Sequence, residues 1–90
     1  MHAYQPDFDI ESAVLHELPY MIHLREHFHA HPELSGQERE TSQAVLRELQ
    51  KAGIEDARII ADTGVTGLIR GALPGPVLLL RADMDALPLT

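Results

Sequence analysis

The 90-residue sequence contains no cysteine and no tryptophan, and its aromatic residues are two tyrosines and two phenylalanines. Without cysteine, disulfides and thiolate zinc sites within these residues are excluded, and the lack of disulfides fits the cytosol. Basic residues are scarce too: 7 Lys and Arg stand against 14 Asp and Glu, a formal charge of −7 at pH 7. A phosphate-binding surface would want the opposite sign, so neither nucleic acid nor an anionic membrane is an expected partner. Long apolar runs are missing. The longest, Val77-Leu78-Leu79-Leu80, falls far short of the ~20 residues that a membrane-spanning helix needs. The first dozen residues, MHAYQPDFDIES, carry three acids, no Lys or Arg and no apolar centre, a pattern unlike a signal peptide. The expected location is therefore cytoplasmic. What remains is a globular composition, 44% hydrophobic and 23% charged, in a chain too short for two independent cores.

Residues 1–10 read as a flexible N-terminal arm, and residues 11–90 as one incomplete α/β unit. A helical stretch runs from about Glu11 to His29 with Pro19 near its middle. Proline is disruptive in a helix interior, so the pattern predicts a short turn over residues 12–17 and a helix from about Pro19. Met21, Leu24 and Phe28 share one face of that helix. It must stop by His31, because Pro32 disfavours the helical conformation in the residue before it. A second helix follows. Ser35 and Glu38 match an S-x-x-E capping box, Val45, Leu49 and Ala52 recur at helical spacing, and Gly53 suits a left-handed C-terminal cap.

After Gly53 the period changes. Residues 57–61 (ARIIA) and 65–70 (VTGLIR) read as short strands joined by Asp62-Thr63-Gly64, and residues 72–76 (ALPGP) as a tight hairpin connection. Residues 77–80 then form a run apolar on both faces, which suits a strand buried on both sides with helices covering the sheet. The expected order is α-α-β-β-β. A central strand needs neighbours on both edges, so this looks like the opening part of a larger domain.

Three features could carry chemistry. His23, His27, His29 and His31 fall within nine residues, and His23-Leu24-Arg25-Glu26-His27 spells the H-x-x-E-H of inverted zinc proteases. On a helix His23 and His27 would share a face, with Glu26 available as a base. A chain this rich in His and Glu produces such a match by chance, and no recognisable third ligand follows. A solvent-facing or helix-terminal role is the preferred reading, since histidine complements the dipole near a helix C-terminus. The segment His29-Ala30-His31-Pro32-Glu33-Leu34-Ser35-Gly36 is a turn whose His and Glu could line a cleft or merely connect two helices. Lastly, Asp83 and Asp85 alternate just beyond the expected buried strand, where ligands bind in open α/β sheets. In an extended segment they point the same way. Carboxylates there can bind a metal, orient a metal-bound histidine or act as a base. Asp83 could instead simply pair with Arg81.

Taken in order, LREHFHAHPELSGQERET, TGVTGLIRG and PVLLLRADMDALP resemble the N-terminal part of the metal-dependent aminoacylase/carboxypeptidase family, a zinc-type exopeptidase-like group of amidohydrolases. The nearest branch includes hippurate hydrolases, N-acyl-amino-acid and N-acetyl-diaminopimelate deacylases, and auxin-conjugate hydrolases. The resemblance covers about Leu24 to Pro88. It implies a two-domain hydrolase several times this length. Its catalytic domain would be a three-layer α/β sandwich with a divalent metal pair (Zn, Mn, Co or Ni), and an inserted lid domain would often mediate a homodimer. The implied reaction is hydrolysis of the amide bond of N-acyl amino acids, hippurate-like or N-acetylated. In this branch the metal ligands come from a His-x-Cys-Gly-His-Asp block, a Glu-Glu pair and later histidines, all beyond the position matching Pro88. No metal ligand is therefore expected in this chain, which should be inactive alone. Asp85 carries over as the family's orienting aspartate, and Asp83 as a supporting carboxylate beside the site. The competing expectation is a non-catalytic small α/β module that self-associates through its sheet edge.

Overall fold

The computed structural model describes residues 9–88, and the expected arm over residues 1–8 lies outside them. The chain divides into two compact units, Met1–His31 and Pro32–Thr90.

The described part of the first unit is one helix, α1 (Ile10–Ala30). Asp9 begins it. Its Oδ1 accepts from the Glu11 amide at 3.0 Å and its Oδ2 from the Ser12 hydroxyl at 2.8 Å. Those bonds, the Ser12 hydroxyl foremost, hold the Asp9 carboxyl below its ordinary value. The expected break at Pro19 does not occur, since α1 runs through it. Proline at this position withholds one N–H from the carbonyl of Leu15, at a cost of ~3 kcal/mol. The strong helix formers Glu17, Leu18, Met21 and Leu24 continue the ladder on either side. The helix ends as expected before Pro32. His31 closes it, its amide donating to the Phe28 carbonyl at 3.3 Å and its Nδ1 lying 2.8 Å from the His27 carbonyl. None of its residues is buried, and Leu24 and Phe28 are its half-buried positions.

The second unit holds α2 (Arg39–Lys51) and two strands, β1 (Arg58–Ile60) and β2 (Gly64–Thr66). The C-terminus of α2 follows the sequence closely. Gly53 adopts a φ of +85°, its amide donates to the Gln50 carbonyl at 3.0 Å, and the Ile54 amide donates to the Leu49 carbonyl at 3.1 Å. This is the Schellman pattern, in which two otherwise unpaired carbonyls of the last turn find donors. The N-terminus departs from it. The helix starts at Arg39, too late for Ser35 to cap it, and Glu38 turns its Oε1 onto the Gln37 amide at 2.9 Å. The cap comes from Glu33, further back in the chain.

The strands pair antiparallel, with Arg58 opposite Thr66, Ile59 opposite Val65 and Ile60 opposite Gly64. The turn is shifted by one residue from the expected position. Ala61 and Asp62, at φ 48° and 69°, make the reversal, the succession of positive values that right-twisted hairpins favour. β2 stops before Gly67, where a Cβ would lie 2.9 Å from Ile54 Cγ2 and 3.5 Å from Leu49 Cδ1. The chain therefore crosses closely over the end of α2.

Where α2 meets the hairpin, the buried side chains among the described residues are polar: Glu38, Thr41, Ser42 and Thr63. Val45, Leu46, Leu49, Ile54, Ile59 and Val65 are half-buried around them. Ser42 is the most enclosed, at 1% exposure, and its Oγ lies against the carbonyl of Glu38 at 2.6 Å and that of Thr63. The Glu38 carbonyl already receives the Ser42 amide at 2.9 Å. The single hydroxyl proton therefore serves Thr63 best and ties α2 to the hairpin turn.

The expected third strand is not formed among the described residues. Residues 67–83 make no strand pairing, and the Val77-Leu78-Leu79-Leu80 run is 83–91% exposed. The ALPGP segment consequently joins no two strands. The physical reason is the one the run itself implies. A strand apolar on both faces gains stability only between neighbours and under helices, and the described residues supply neither. The observed architecture is mixed α/β, with two helices and one two-stranded antiparallel sheet. No helix of the described residues is long and apolar enough to cross a membrane.

Candidate functional site

Residues 32–36 (PELSG) and 81–88 (RADMDALP), from the two most distinctive sequence blocks, come together within the second unit. Leu34 and Ala86 form a parallel bridge, and the Ala86 amide donates to the Glu33 carbonyl at 2.7 Å. Neither segment forms a named strand around this bridge. The contact holds the aspartate segment beside the turn that leads into α2.

Glu33 has a second role there. Its Oε1 accepts from the Thr41 amide at 2.6 Å and its Oε2 from the Glu40 amide at 3.2 Å. Both donors belong to the first turn of α2, whose amides have no partner within the helix and whose end carries the positive pole of the dipole. The hydrogen bonds to Thr41, and after them the one to Glu40, hold the Glu33 carboxyl below its ordinary value. The sequence offered Ser35 and Glu38 for this task, and its signal for Glu33 is weaker. A glutamate just after a proline and a few residues ahead of a helix was the available clue.

Asp83 and Asp85 lie in the segment that ends at this bridge. Both are exposed. Asp83 Oδ1 pairs with Arg81 Nη2 at 2.8 Å, the simple pairing that the sequence left open. Such an exposed pair contributes little to stability. Asp85 immediately precedes the bridged Ala86, so its backbone position is fixed from one side.

The histidines lie on α1 and at its cap. The His27 ring stands edge-on to Phe28 at 5.6 Å between centroids and is tilted over His31 at 4.6 Å. His23, His27, His29 and His31 are all exposed. Among the described residues, no three His, Cys, Asp or Glu side chains converge as a metal site would require. The described residues alone thus supply no set of side chains that would hold the metal pair.

No protein-family model and no solved structure matches the chain. Curated proteins do. The chain is similar to a probable hydrolase of Synechocystis sp., 47% identical over 73 residues, covering 80% of this chain and 19% of that protein. It is similar to thermostable carboxypeptidase 1 of Saccharolobus solfataricus, 46% identical over 70 residues, 77% of this chain and 18% of that one. It is likewise similar to the N-acyl-L-amino acid amidohydrolase of Geobacillus stearothermophilus, 46% identical over 69 residues, 77% and 19% of the respective lengths. The chain spans about a fifth of the length of these relatives.

Proposed function

This chain belongs, as a segment, to the aminoacylase/carboxypeptidase family of amidohydrolases, and we propose on that footing that the protein it is part of hydrolyses the amide bond of N-acyl amino acids. The substrates are hippurate-like or N-acetylated amino acids. Relatives named as an N-acyl-L-amino acid amidohydrolase and an N-acetylcysteine deacetylase support that class. The observation that carries the reading is the bridge between Leu34 and Ala86. It joins the two sequence blocks on which the resemblance chiefly rests.

In this reading residues 11–90 are the incomplete first portion of a three-layer α/β catalytic domain, in a cytoplasmic and homodimeric enzyme. The metal pair, Zn, Mn, Co or Ni, is held by residues outside this chain. Asp85 is the orienting carboxylate, its reach set by the bridged backbone beside it, and Asp83 supports it with its charge shared with Arg81. A carboxylate in such a place fixes the orientation of a metal-bound imidazole and raises its basicity. The test is release of free amino acid from N-acetyl and N-benzoyl amino acids by the longer protein that carries these residues. The expected result is turnover that chelation abolishes and divalent metal restores. Failure to cleave any N-acyl amino acid would overturn the reading.

The competing module that self-associates through a sheet edge has one observation in its favour, the exposed Val77-Leu78-Leu79-Leu80 run. An unpaired apolar segment of this kind is a template for strand pairing. The 90-residue chain separates the two readings in sedimentation. A monodisperse oligomer that melts cooperatively favours the module, and an aggregating or partly unfolded species favours the segment of a larger enzyme.

A further inference from the structure

We propose that Glu33 is a positioning residue for the Asp85 segment, coupling it through one side chain and one carbonyl to the N-terminus of α2. This rests on the reading of Asp85 as the orienting carboxylate. Glu33 is bonded at both ends. Its carboxylate takes the Thr41 and Glu40 amides, and its backbone carbonyl takes the amide of Ala86, the residue after Asp85. The helix it grips is itself fixed to the hairpin turn by the enclosed Ser42. A continuous path thus runs from the hairpin through α2 and Glu33 to Ala86.

The exposed surroundings of Asp85 make this path matter. Asp85 is exposed, and the adjoining residues 81–83 are exposed as well. Its neighbours Met84 and Ala86 are half-buried, and the hydrogen bond from the Ala86 amide is the backbone constraint beside it. An orienting carboxylate works only if its own direction is held by supporting groups. Loss of the Glu33 carboxylate leaves residues 33–34 tied toward α2 through the Gln37 amide on the Leu34 carbonyl at 2.9 Å, and loosens the bridged Ala86 segment with them. Sequence spacing between Glu33 and Asp85 would not suggest this link.

The test is amide hydrogen exchange by NMR on the longer protein that carries these residues, as wild type, Glu33→Gln and Glu33→Ala. In Glu33→Ala the Glu40, Thr41 and Ala86 amides are expected to exchange faster together by about five- to tenfold, as loss of one cap implies. The β1–β2 amides should hold their rates. The Asp85 side chain, followed by its Hα–Hβ couplings, should change from one rotamer to an average. Glu33→Gln keeps an oxygen acceptor of the same reach and should restore most of the Ala86 protection and the single rotamer. Three results would overturn the proposal. Ala86 could keep its rate while Glu40 and Thr41 lose theirs, which makes Glu33 a local cap alone. All amides, the hairpin included, could accelerate equally without rescue by glutamine. Or Ala86 could be unprotected in the wild type. None of these touches the hydrolytic reading, which is measured by amino acid release.

Discussion

Replacing Ser42 by alanine removes the side chain that joins α2 to the hairpin turn. Ser42 is 1% exposed, and its hydroxyl faces the Thr63 carbonyl in a buried position. With alanine there, the Thr63 carbonyl loses the donor that reaches it from α2 and stays shielded from water. A buried acceptor left without a partner costs about 1–3 kcal/mol. Alanine is the better helix former, which offsets ~0.5 kcal/mol of that loss. The net destabilisation is about 0.5–2.5 kcal/mol, a fall in Tm of about 2–20 °C for a unit of this size. Circular dichroism melts of wild type and Ser42→Ala measure it, with Gln43→Ala as the exposed neighbour on the same helix turn. The Gln43 variant should melt within a degree or two of wild type, as surface changes do. An unchanged or raised Tm for Ser42→Ala would mean that helix propensity outweighs the link to the hairpin.

Other perturbations follow from the same contacts. Glu33 is held below its ordinary value of 4.5, so its contribution is fully present above about pH 4.5 and is lost as pH falls through the lower folded value. Melts between pH 7 and pH 3 should show this acid loss in wild type and a shallower one in Glu33→Gln. Ala61 at φ 48° sits where a Cβ is disfavoured, so Ala61→Asn should raise stability by up to about 1 kcal/mol in urea titration. Gly53→Ala should lower stability by about 1 kcal/mol through the strained backbone alone, since a Cβ there meets no atom within 4 Å. Pro19→Ala should return one hydrogen bond to α1 and increase its helicity by far-ultraviolet circular dichroism.

Local signals in the sequence proved readable where the chain itself supplies the partner. Gly53 marked the end of α2 because a left-handed cap needs only the preceding turn. The strands at Ile59 and Val65 appeared where β-branched residues clustered beside a turn, displaced by one residue because Ala61 and Asp62 took the positive φ values. Pro19 misled, because the sequence cannot weigh one missing hydrogen bond against the helix formers on both sides of it. Ser35 and Glu38 misled for a related reason. A capping box is a pattern of four adjacent residues, and the observed cap is Glu33, which takes the Glu40 and Thr41 amides from further back. The run from Val77 to Leu80 was legible as a buried central strand, yet that state depends on neighbours that the described residues do not provide. For the site, the motifs made Asp83 and Asp85 visible. The link from Glu33 to Ala86 was invisible, because it joins residues far apart in the chain.

Reading the coding frame past the codon for Thr90 decides whether these residues belong to a larger amidohydrolase. An open frame that runs into a His-x-Cys-Gly-His-Asp block is the expected result. A stop codon directly after Thr90 would contradict it and leave the self-associating module as the reading to pursue.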